Sequence, residues 1–178
     1  SNLTELYICY CNTLTIIPES IGNLTKLTKL QIVQCDTLIA IPESIGKLIN
    51  LEILYISNCL ILSVLPESMC NLTNLLRIEI SYCHMLKVLP TRIGDLNKLI
   101  YFFICNCNAL TVLPESICSL VKLEEFSIYN CIVSFFKSVL SRIVTTPLLV
   151  NSILKMDLSS INAFLKFPIN AFENKLSK

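Results

Sequence analysis

The sequence predicts an α/β fold: a right-handed solenoid with a parallel sheet on its concave side and short helices or turns on its convex side. Three observations predict it. Prolines recur every 24 residues at Pro18, Pro42, Pro66, Pro90 and Pro114. Cysteines keep the same step at Cys11, Cys35, Cys59, Cys83, Cys107 and Cys131. So do the leucines Leu3, Leu27, Leu51, Leu75, Leu99 and Leu123 and the isoleucines Ile8, Ile32, Ile56, Ile80, Ile104 and Ile128. Self-similarity at one fixed period marks stacked supersecondary units, none of which buries its apolar side alone.

One unit reads LxxLxIxxCxxLxx[LI]PESIGxLxx. Its LxI piece alternates apolar and polar, which is the strand period. Leu30 and Ile32 therefore face the core, and Lys29, Gln31 and Val33 face away. The alternation stops after Cys35, so the chain turns there. Pro42 fixes φ and lacks an amide donor, which keeps it out of any ladder. Glu43-Ser44-Ile45-Gly46 and Leu48 have the spacing of a short helical turn on the outer side. Glu19, Glu43, Glu67 and Glu115 read as a helix-start preference. Gly22, Gly46 and Gly94 are expected to end the turns at low cost, as glycine does at helix C-termini, with Cys70 and Cys118 in the equivalent places. An inward Leu or Ile contributes about 1.5–3 kcal/mol when fully buried, so stacking holds the fold.

The strings Leu65-Pro66-Glu67-Ser68 followed by Leu72, and IxxC at each strand exit, resemble the leucine-rich-repeat family. Among its varieties they resemble the repeat region of plant intracellular nucleotide-binding receptors of the disease-resistance type. The resemblance covers residues 3 to about 131. The residues before the prolines, such as Ala40-Ile41 and Val64-Leu65, lack the glycine of the extracellular plant pattern. That departure points to the intracellular variety and a cytoplasmic location.

The resemblance implies a leucine-rich-repeat solenoid whose cysteine column, Cys11 to Cys131, lies inward as a structural ladder. It further implies a plant defence role, as the ligand-sensing or autoinhibitory part of a receptor whose nucleotide-binding part lies outside this chain. The partners would be other proteins or other domains of the same parent chain. A free-standing repeat scaffold or effector with no attached switch domain is the alternative.

The expected organisation is one domain over residues 1–178, with regular units to about 131. Residues 132–178 would form an irregular unit plus a degenerate last repeat or a cap. Ile153, Met156, Leu158, Ile161, Phe164, Phe167 and Pro168 repeat the spacing of Leu27, Leu30, Ile32, Cys35, Leu38, Ile41 and Pro42. Phe135, Phe136, Val139, Leu140 and Ile143 recur at helical spacing. Unrelated appended sequence is the third reading.

Several function classes are disfavoured. The net charge is +1 and no basic block occurs, so a nucleic-acid groove is not expected. The longest uncharged stretch, Leu99 to Pro114, is too short to span a bilayer. His84 is the only histidine and no CxxC pair occurs, so neither a metal site nor a cofactor is expected. His84 reads as a turn residue, and nothing marks an enzyme. Asn2-Leu3-Thr4, Asn23-Leu24-Thr25 and Asn71-Leu72-Thr73 match the glycosylation acceptor pattern but also follow from the repeat. The candidate working surface is the exposed strand face. There Tyr7, Tyr55, Arg77, Glu79, Tyr82, Tyr101, Phe103 and Tyr129 combine aromatics with scattered charges, as protein interfaces do.

Overall fold

The structure, a computed structural model, describes residues 2–131. Six five-residue strands repeat along the chain: β1 (Glu5–Cys9), β2 (Lys29–Val33), β3 (Ile53–Ser57), β4 (Arg77–Ser81), β5 (Tyr101–Cys105) and β6 (Glu125–Tyr129). They form one parallel sheet in chain order. Every pairing is offset by one sequence period: Ile8 lies beside Ile32, Ile32 beside Ile56, and so on to Ile104 beside Ile128. The LxI alternation thus sends two columns of Leu, Ile and Phe inward and leaves the residues between them outside.

The outer side is built from 3-10 turns at Glu19–Asn23, Glu43–Lys47, Glu67–Asn71, Ile93–Asp95 and Glu115–Ser119. Each five-residue turn follows an extended proline, as at Pro42 (φ −71°, ψ 153°). The Ile45 and Leu48 amides donate to the Pro42 and Ile45 carbonyls. That three-residue step suits so short a segment, which has little room for the longer α-helical step. A thin second ladder of single bridges joins Ile16 to Ala40, Ala40 to Val64 and Val64 to Val88.

Between sheet and turns runs one continuous core. Leu30, Ile32, Leu38, Leu51, Ile56, Leu75 and Ile80 are fully buried. In the last two strands Phe102 and Phe126 take the leucine place, with ring centroids 5.6 Å apart. In the first unit Leu6, Ile8, Leu14 and Leu24 are only half-buried.

One expectation about the turns is corrected and another is extended. The described glycines all have negative φ, so none is a left-handed cap. Instead they admit the next unit: a Cβ on Gly22 would sit 2.7 Å from the Ser44 carbonyl oxygen, and one on Gly46 would sit 2.5 Å from that of Ser68. The left-handed residues lie at the strand exits: Tyr10, Gln34, Asn58, Tyr82, Asn106 and Asn130. The repeated glutamate, likewise, serves its neighbour's turn as well as starting its own. The Glu19 carboxylate accepts the Ser44 amide at 3.1 Å, Glu43 accepts the Ser68 amide at 3.1 Å, and Glu67 accepts the Thr91 amide at 2.7 Å. The Ser44 and Ser68 amides lie in the first turn of their 3-10 segments and that of Thr91 just before one, where backbone donors have no partner within the segment. The seventh-unit, cap and appended-sequence readings of residues 132–178 lie outside the described residues.

Candidate functional site

Parallel register brings residues one period apart side by side on the concave face. Arg77 lies between Ile53 and Tyr101, and Glu79 between Tyr55 and Phe103. The Arg77 guanidinium is flanked by two rings, 5.5 Å from the Tyr55 centroid and 5.8 Å from that of Tyr101. It also approaches the Glu79 carboxylate at 3.5 Å. Cation–π contact of this kind holds the long arginine side chain over the sheet.

Arg77, Glu79, Tyr101 and Phe103 then enclose an open recess of about 270 Å³, together with Phe102 and Glu125. Glu125 was not among the residues singled out from the sequence. Its signal was its place one period after Tyr101, beside which it pairs.

Tyr7 forms a separate cluster at the other end of the sheet. Its hydroxyl donates to Glu5, and the Lys29 ammonium lies 5.2 Å from its ring and 4.0 Å from the Glu5 carboxylate. Chiefly the Tyr7 oxygen, with smaller help from Glu5, holds Lys29 above the usual lysine range. Tyr82 and Tyr129 are not part of the recess. Tyr129 ends β6 and is exposed, while Tyr82 stands just past β4 on the rim, exposed and in the left-handed region. The His84 ring meets that of Tyr82 edge-on at 6.4 Å. His84 is half-buried, not a free surface residue, and its Nδ1 is buried without a hydrogen bond.

The cysteine column lies along the core side of the strand exits. Cys35, Cys59, Cys83 and Cys107 are fully buried, and Cys11 and Cys131 at the two ends are half-buried. All ten cysteines are free thiols. Each column thiol donates to the carbonyl two residues back, as from Cys83 to Ser81 at 3.5 Å and from Cys131 to Tyr129 at 3.4 Å. That contact spans the left-handed residue and fastens the turn. Burial pushes the Cys35 thiol up to about 11. Among the described residues no group of three or more His, Cys, Asp or Glu side chains could hold a metal ion. Nor is any helix there long and apolar enough to cross a membrane.

The family model described as Leucine Rich Repeat matches residues 2–24 and 50–72. No curated sequence matches the chain. Among solved structures, the functional domain of InlJ from Listeria monocytogenes, which includes a cysteine ladder, is similar with a TM-score of 0.63 at 22% identity. The similarity covers 84% of this chain and 29% of that one. The Arabidopsis receptor kinase HAESA, solved with the peptide hormone IDA and the co-receptor SERK1, is similar with a TM-score of 0.51 at 24% identity, over 73% of this chain and 22% of that one. This chain therefore spans less than a third of either protein's length. By its repeat and by its fold, the chain has the architecture of a leucine-rich-repeat solenoid, like the structures it resembles.

Proposed function

We propose that the chain is a protein-binding module that takes its partner on the concave sheet face, and that it catalyses no reaction. The observation that carries this reading is Arg77 held between Tyr55 and Tyr101 beside an open recess. A large, partly exposed aromatic surface is costly in water unless something covers it. Aromatic and arginine side chains with few free rotamers bind at low ordering cost. An extended peptide is one fitting class of partner, and HAESA was solved with a peptide hormone.

The finer reading is the ligand-sensing or autoinhibitory region of a cytoplasmic plant immune receptor. It rests on the Leu-Pro-Glu-Ser wording of the units and the apolar residues before their prolines. A transcript carrying GxxxxGK[ST] upstream supports it; one without that segment favours the free-standing scaffold or effector.

The binding test pans a displayed random-heptapeptide library on the immobilised full chain. Binders should lose about tenfold or more in affinity for Tyr101→Ala with Phe103→Ala. They should keep it for Val121→Ala with Lys122→Ala, two exposed positions on the connection before β6. Circular dichroism should be unchanged for both. Equal retention by the two variants sinks the concave-face reading.

A further inference from the structure

We propose that the recess between β4 and β6 seats one basic side chain, Lys or Arg, of the partner segment. This rests on the concave-face reading and deepens it. Three charged groups line the recess: Arg77, Glu79 and Glu125. The Arg77 charge is already engaged, by the Tyr55 and Tyr101 rings and by Glu79. The salt bridges among the described residues are Lys29–Glu5, Arg77–Glu79 and Arg92–Asp95, and Glu125 is in none of them. Two carboxylates against one guanidinium leave the lining with a net charge of −1.

The other side chains on that face of the recess are aromatic, Tyr101 and Phe103, while the Phe102 ring turns into the core. Ring faces carry negative potential, so walls and carboxylates favour the same occupant. A Lys or Arg lays its apolar stem along the rings and brings its charged end to Glu125.

The alternatives fit less well. An acidic side chain would meet Glu79 and Glu125. A purely apolar one would desolvate the half-buried Glu79 further with nothing to offset it. The recess, at about 270 Å³, also lies just under the span of roughly 300–1,000 Å³ usual for small-molecule sites. One long side chain suits it better than a free ligand.

The same panned library provides the test. Binders lost on Tyr101→Ala with Phe103→Ala should share a Lys or Arg. Replacing that residue by Ala, or Glu125 by Gln, should weaken them by about fivefold or more. Their affinity should fall with added salt, and that dependence should shrink in Glu125→Gln. Concave-face binders that lack a basic residue, or that ignore Glu125→Gln, overturn this inference and leave the concave-face reading standing. Binders indifferent to the Tyr101 and Phe103 pair, or no binders at all, overturn both.

Discussion

A buried thiol shows how one residue ties packing to pH. Cys35 has no exposed surface, and burial lifts its thiol from 9.0 to about 11. Cys70, in the Glu67–Asn71 turn, is raised to about 11 chiefly for the same reason. Below pH 9 both folded and unfolded chains hold these protons, so the shifts cost nothing. Between about pH 9 and 11 the unfolded thiols ionise first, and stability falls. The urea midpoint should therefore drop across that range, and drop less steeply in Cys35→Ala; equal slopes would show that Cys35 is not shielded. Gly46 makes a second residue-scale case. An added methyl would press on the Ser68 carbonyl oxygen and Cβ, so Gly46→Ala should destabilise by about 1–3 kcal/mol, the usual range for overpacking. A rise in melting temperature would show that the turns can separate freely.

At the scale of elements, the strands were legible and the turns only half so. Alternation in Leu30-Gln31-Ile32 is a local pattern, so it declared both the strand and its buried face. The turn chemistry crosses between units along a diagonal. Glu43 to Ser68 and Gly46 to Ser68 are contacts that a column-by-column reading does not pair. With hindsight the pairing has a trace: where Cys70 replaces the glycine, Arg92 replaces the facing serine of the next unit. The strand exits hid for another reason. Six residues there share positive φ, but only Asn58, Asn106 and Asn130 are types that favour it. Tyr82 pays a steric penalty in that place. Tyr82→Asn should raise stability by about 0.5–1 kcal/mol, well within the left-handed cost of an ordinary residue. A clear loss in chemical denaturation would mean that the contact with His84 outweighs the backbone. Glu43→Ala removes the carboxylate that receives the Ser68 amide and should cost about 0.5–2 kcal/mol, as other lost caps do.

Over the whole molecule, the 24-residue period declares which residues become neighbours but not how their side chains lean. Arg77 beside Tyr101 followed from register alone. Its seat between two rings, and the place of Glu125 in the recess, depend on rotamers that no period carries. The same nearest-neighbour logic governs stability, because each unit packs only on those flanking it. Ile80 lies in β4 with units on both sides and is fully buried, whereas Ile8 in β1 is half-buried. The two residues hold identical positions in the repeat, so a local view gives them equal weight. The solenoid does not. Ile80→Ala empties a closed site and should cost about 2–5 kcal/mol, as buried aliphatic truncations do. Ile8→Ala removes a group with fewer contacts, at a site that water reaches, so its cost should be about half as large or less. Equilibrium urea unfolding of the two variants makes the comparison. Equal losses would mean that the first unit is as enclosed as the fourth, and that position along the stack does not set the strength of the core.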